Sequence, residues 1–311
     1  MSLPTIAITI GDPAGIGPEI TAKALSNPSI SKICRPVVIG SKVFFPAGIP
    51  KILAKKNFID IGVDSSKVIA GRNSATSGRA AYEYILRAVD LVRSGYADAL
   101  VTAPVSKAAF MLAGVPYPGH TELLASLTGT SKFVMMMIAG RLRAAMVTRH
   151  MPLSETGKNL SVENISETVL LSAEFVRLKY RIAEPRVAVS SLNPHAGEGG
   201  MLGKEENGVI VPAVRLLKTK GCNVEGPMPA DSLWVKLIKK EFDLAVMMYH
   251  DQVMIGLKCV APEKVVNITA GLPFVRTSPG HGTGFDIAGK NCADPGQMVE
   301  AIKTAVQLVK C

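Results

Sequence analysis

The 311-residue chain is poor in aromatic side chains, which make up 5% of it with Trp234 as the single tryptophan. A surface built to stack unpaired bases needs more than that. Its five cysteines, Cys34, Cys222, Cys259, Cys292 and Cys311, are odd in number, widely spaced and free of any C-x-x-C pair. That usage excludes a zinc ribbon and a disulfide framework, and it suits a reducing cytoplasm. Long apolar runs are missing too. The longest, Phe133 to Ala139, is far short of a membrane span. No charged segment precedes an apolar stretch near Met1, so no secretory signal is expected. Histidine is also scarce, at five residues.

What is present is apolar mass: 48% hydrophobic against 19% charged residues, enough to bury a large core and to exclude wholesale disorder. Lysine and arginine outnumber acids 35 to 25, for a formal charge of +10. This balance leaves a basic nucleic-acid-binding protein as an alternative of another class. The cations are scattered, however, with no block longer than Lys55-Lys56 or Lys239-Lys240, and no nucleic-acid arm is visible.

Short β-rich runs alternate with helical patterns, the arrangement of an α/β protein with parallel strands. Strands are predicted at Thr5–Ile10, Pro36–Gly40, Ala99–Ala103, Arg186–Leu192 and Phe242–Tyr249, and a hairpin over Lys132–Ile138 and Leu142–Thr148 around Gly140. Apolar spacing predicts a helix from Gly78 to Gly95, one capped by Ser161, and a last one over Asp294–Lys310 with Pro295 in its first turn.

Three histidines fall just past predicted strands: His150 in Thr148-Arg-His-Met-Pro152, His195 in Asn193-Pro-His-Ala-Gly-Glu-Gly-Gly200, and His250 after Tyr249. Ligands of parallel α/β sheets gather beyond the carboxyl ends of the strands. Three imidazoles at one such edge suit a divalent metal of the catalytic kind, which acts as a Lewis acid on a substrate oxygen. Each histidine alone reads rather as an ordinary loop residue, and the metal reading rests on all three together. Glu198 is a further candidate ligand or a solvated carboxylate, and Asp251 a candidate acceptor that orients His250.

Gly11-Asp-Pro-Ala-Gly-Ile-Gly-Pro-Glu19 reads as a strand-to-helix turn, structural or ligand-binding, without the usual dinucleotide fingerprint. Pro116-Tyr-Pro-Gly-His-Thr-Glu122 reads as a helix start that places His120 and Thr121 where main-chain N–H groups favour anions. Lys258, eight residues past His250, and Arg276 are either surface charges or the cations of a phosphorylated acid site, with Asn267 before a strand between them. The loop His281-Gly-Thr-Gly-Phe-Asp286 is expected to enter a helix and to offer His281, Gly282, Thr283 and Asp286 to an adenosine group.

Taken together and in order, GDPAGIGPE, TAPVSK, PGHTE, LNPHAGEGG, PADS, YHDQ, NITAGLPFVRTS and HGTGFDIAGK resemble the 4-hydroxythreonine-4-phosphate dehydrogenase family of vitamin B6 biosynthesis. The terminal motifs are also similar to those of the isocitrate and isopropylmalate dehydrogenases. The resemblance implies two α/β domains of that type with a cleft between them. One, formed by 1–130 with 275–311, carries the cofactor loop; the other, 131–274, carries the metal ligands and a dimer interface. It implies a homodimer with a shared active site and one divalent ion (zinc, magnesium, manganese or cobalt) on His150, His195 and His250. It assigns substrate contacts to His120, Thr121, Lys258, Asn267 and Arg276, and NAD or NADP to the 281–286 loop. Lys258 and Asp231, the latter in Pro229-Ala-Asp-Ser232, become catalytic candidates; Asp231 reads equally as a helix N-cap.

The implied reaction is oxidation of the C3 hydroxyl of 4-phosphooxy-L-threonine, followed by loss of carbon dioxide. A paralogue acting on 4-phospho-D-threonate or erythronate is the alternative. Two departures stand out: a short stretch after Gly40, over Ser41–Asn57, and Pro279-Gly280 ahead of His281.

Overall fold

The computed structural model describes residues 3–45 and 57–310. Most of the short Ser41–Asn57 stretch, and Cys311, lie outside the described residues. The chain divides into two compact units, one of residues 1–131 with 272–310, the other of 132–271.

In the first unit, five strands form an all-parallel sheet: β1 (Thr5–Thr9), β2 (Arg35–Gly40), β3 (Phe58–Asp60), β4 (Ala99–Thr102) and β11 (Val275–Pro279), in the order β3-β2-β1-β4-β11. Its central strands are buried at every residue, as parallel strands covered on both faces by helices must be. Helix Ala75–Arg93 starts at Ser74, whose hydroxyl accepts the Ser77 N–H, and buries Ala81, Tyr84, Ile85, Ala88 and Val89 on one side. Gly78 lies so close to the helix Lys107–Leu112 that a Cβ there would stand 2.0 Å from the Ala109 carbonyl oxygen, so only glycine permits this approach.

The second unit holds β5 (Val134–Ala139), β6 (Leu142–Met146), β7 (Val187–Ser190), β8 (Val224–Met228), β9 (Leu244–Met247) and β10 (Val266–Ala270), ordered β10-β5-β6-β9-β7-β8. The predicted hairpin is there: β5 and β6 pair antiparallel around Gly140 at φ +59°, and β10 runs antiparallel to β5. From β6 onward the pairing is parallel. Helix Val162–Tyr180 starts in a reciprocal cap between Ser161 and Asn164. The core is rich in methionine (Met135, Met137, Met146, Met247, Met254) around Leu233 and Trp234. Unbranched thioethers fill irregular gaps between sheet and helices. Among the described residues no helix is long and apolar enough to cross a membrane.

Candidate active site

Strands β6, β9 and β7 are consecutive parallel neighbours, so their carboxyl ends share one edge of the sheet. His150 lies four residues beyond β6, His250 three beyond β9 and His195 five beyond β7. The His150 and His250 rings stand 5.5 Å apart, centroid to centroid. His250 opens the helix His250–Val260, and its Nδ1 shares a 2.6 Å hydrogen bond with Asp251 Oδ1. His195 is exposed, and its Nδ1 is 2.7 Å from Glu198 Oε1. Both imidazoles thus keep Nε2 clear of a carboxylate partner. Glu198 faces the His195 ring in the structure.

The donor chemistry fits a divalent ion: imidazoles with carboxylate-held Nδ1 atoms are the usual arrangement around one. Two imidazoles at about this separation can reach a single ion through nitrogens at about 2.1 Å. A complete set is not assembled within the chain, since among the described residues no group of three or more His, Cys, Asp and Glu is placed to hold a metal.

The other candidates of this unit are dispersed. Lys258 is exposed in the last turn of the helix that His250 begins. Eight residues separate them, about 12 Å along the axis at about 1.5 Å per residue. Asp231 is exposed in the first turn of helix Ala230–Ile238. The N-cap there is Pro229, so the capping reading of Asp231 is corrected. Asn267 does not precede a strand but lies within β10, opposite Met137 of β5.

In the first unit, Arg276 on β11 is 2% exposed, which sets aside its reading as a surface charge. Its Nε and Nη2 donate to Thr102 Oγ1 at 3.2 and 2.7 Å. Burial brings its guanidinium down to about 10, still charged at neutral pH, while the negative charge of Glu122 opposes the fall. His120 and Thr121 open helix His120–Thr128. His120 is half-buried, and its Nε2 is enclosed without a hydrogen-bond partner. Burial first, then the Arg276 charge, hold His120 well below its ordinary value, against a hydrogen bond to the Ala103 main chain. A neutral imidazole, a buried guanidinium and two helix-start N–H groups make an anion-ready corner.

Across residues 32–305 the sequence matches the family model for the pyridoxal phosphate biosynthetic protein PdxA. The chain belongs to the PdxA family. It is 40% identical to a 4-hydroxythreonine-4-phosphate dehydrogenase of Desulforapulum autotrophicum, over 97% of this chain and 94% of that one. It is 41% identical to a D-threonate 4-phosphate dehydrogenase of Cupriavidus necator, over 98% and 97%. Among solved structures, the 4-hydroxythreonine-4-phosphate dehydrogenase of Klebsiella pneumoniae is similar with a TM-score of 0.88 at 36% identity, covering 99% of each chain.

A further expectation is corrected for this PdxA chain. The loop after β11 does not enter a helix: residues 285–289 form turns, and the next helix begins at Gly296, after Pro295. Gly284, Gly289 and Asn291 at φ +54°, +78° and +55° are left-handed and cannot continue one. His281 Nδ1 lies 2.8 Å from the Gly282 carbonyl, and Gly282 and Asp286 are exposed. The Thr283 carbonyl accepts the Ile16 N–H at 2.9 Å, so the Gly-rich turn after β1 braces this loop. A cavity of about 190 Å³ lies beside Asn291, lined by Pro13, Gly15, Phe44, Val68 and Ala70.

Sequence reasoning missed three supporting residues. Thr102 carries no signal beyond its place in TAPVSK. Asp12, fully buried, accepts the Ala14 N–H at 2.9 Å and is raised by that burial. Glu206, also buried, stands outside every motif quoted above.

Proposed function

We propose that the chain is an NAD- or NADP-dependent, divalent-metal-dependent dehydrogenase of a phosphorylated hydroxy acid, foremost 4-phosphooxy-L-threonine. The dehydrogenase relatives support an oxidoreductase in pyridoxal phosphate biosynthesis. The observation that carries the metal reading is the 5.5 Å approach of His150 and His250 at an edge that His195 shares.

When bound, the ion would supply Lewis acidity at the substrate hydroxyl, and the nicotinamide would take up the hydride. His150, His195 and His250 would hold the ion, with Asp251 and Glu198 fixing the ring orientations of His250 and His195. Arg276 and Lys258 would offset phosphate and carboxylate charge, joined by His120, Thr121 and Asn267 as hydrogen-bonding groups. Asp231 would take the hydroxyl proton. Gly282, Thr283, His281 and Asp286 would hold the adenosine, with the cavity beside Asn291 as room for a flat base.

A homodimer with a shared site is part of this reading. Val235, Ile238, Ile255 and Val260 are exposed apolar side chains on the helices that carry Asp231, His250 and Lys258.

The alternative substrate is 4-phospho-D-threonate, since a D-threonate 4-phosphate dehydrogenase relative is 41% identical. Parallel assays decide: purified protein with NAD or NADP and Zn²⁺, Mn²⁺, Mg²⁺ or Co²⁺ is given each substrate, and nicotinamide reduction is followed. Turnover of 4-phosphooxy-L-threonine alone supports the first reading, and of 4-phospho-D-threonate alone the second. No reduction with either overturns both. His250→Ala should lose metal content and turnover together.

A further inference from the structure

The loop that presents His195 runs against the handedness of the backbone. From His195 to Gly200 every residue has positive φ: 51°, 53°, 75°, 41°, 68° and 108°. Three of the six, His195, Ala196 and Glu198, are not glycine, so the run is costly to hold and local propensity would release it. Something outside the loop has to hold it.

Glu206 does so. It lies in a single wide turn, Glu206–Ile210, ahead of helix Val211–Thr219, and is 2% exposed. Its Oε1 accepts the N–H groups of Leu192 and Asn193 at 2.9 and 2.8 Å, and its Oε2 accepts Asn193 Nδ2 at 3.0 Å. The carboxylate also fits beneath the left-handed run, since a Cβ on Gly197 would stand 2.7 Å from Oε2. Glu205 adds a second acceptor for Asn193 Nδ2 at 2.8 Å. A buried carboxylate with three charge-assisted hydrogen bonds to the entry of one loop fixes where that loop starts.

We propose that Glu206 is a positioning residue for His195: it pins Leu192 and Asn193 so that the left-handed run delivers the imidazole to the shared sheet edge. The inference rests on the reading of His195 as a metal ligand, and it makes Glu206 a determinant of metal affinity without touching the ion.

The test uses Co²⁺ alone as probe, titrated by its visible absorption into metal-stripped full-length protein, with the thermal midpoint of each stripped variant measured alongside. E206D keeps the charge and withdraws the oxygens by one carbon, and E206A removes them. Both should weaken Co²⁺ binding on the order of tenfold or more, the usual effect of removing a group that orients a ligand. E206Q retains an oxygen for Leu192 and Asn193 and should lose less than E206D. In an H195A background, E206D should cost nothing further, because the two act as one unit. Wild-type Co²⁺ affinity in E206D and E206A beside a defective H195A overturns the proposal. So does an E206D loss that persists undiminished in H195A. Wild-type affinity in H195A itself removes instead the reading of His195 as a ligand.

Discussion

Arg276 donates from Nη2 to the Thr102 hydroxyl at 2.7 Å, joining a buried guanidinium on β11 to the end of its parallel neighbour β4. A charge this deep in a sheet is tolerated only while its donors are used. Thr102→Val keeps the shape and removes the acceptor. Chemical denaturation should show a loss of about 1.5–3 kcal/mol, the range for a hydrogen bond to a charged group. A change within about 0.5 kcal/mol, as for an ordinary surface substitution, would show that Arg276 finds its partners elsewhere.

His120 predicts a pH dependence. Its folded value is held well below the ordinary 6.5 by burial and by Arg276, so below that pH the unfolded chain binds a proton that the native chain does not. Stability is full above about 6.5 and falls as pH drops toward the depressed native value, by up to about 1.4 kcal/mol per unit. Thermal midpoints of wild type and His120→Asn, compared between neutral pH and about 5, should diverge, the variant having the flatter profile. Parallel profiles would show that His120 is not the titrating group.

Asp251 orients His250 through a 2.6 Å bond while its own side chain is largely solvent-exposed. Asp251→Asn should keep an acceptor for Nδ1 and remove the charge that makes the imidazole a better donor. Metal affinity should fall about 10–100-fold by competition with a chromophoric chelator. The thermal midpoint of the metal-free protein should stay put.

Gly256 lies on the inner face of the His250–Val260 helix, where a Cβ would come 2.1 Å from Trp234 Cε2. In a helix interior Gly→Ala normally stabilises, so propensity and packing give opposite signs here. Packing should win: Gly256→Ala is expected to destabilise by about 1–3 kcal/mol in urea unfolding. A stabilised variant would mean that Trp234 repacks freely.

Much of this was legible in the residues. The strand starting at Thr5, the hairpin around Gly140 and the Ser161 cap follow from period and turn chemistry, which act over a few neighbours. The placement of His150, His195 and His250 beyond strand ends was readable for the same reason, and parallel pairing of β6, β9 and β7 brings those ends to one edge. Arg276 was not legible as buried, because a lone arginine in a β-rich run has no local signature. Its buried guanidinium donates to Thr102, 174 positions away. The helix expected after His281 failed on left-handed Gly284, Gly289 and Asn291, and glycine's freedom does not announce which sign of φ it will take. Glu206 was invisible because its role lies in where its oxygens end, not in its neighbours.

The one tryptophan is placed to observe the histidine edge. Trp234 Nε1 donates to the Gln252 carbonyl at 2.7 Å, while the Gln252 side chain takes the Met248 N–H at 2.9 Å and gives to the Ser191 carbonyl at 2.9 Å. That amide ties the ends of β9 and β7, from which His250 and His195 depart. The indole emission of the unlabelled protein is therefore an intrinsic optical gauge of this edge, with no second indole to dilute it.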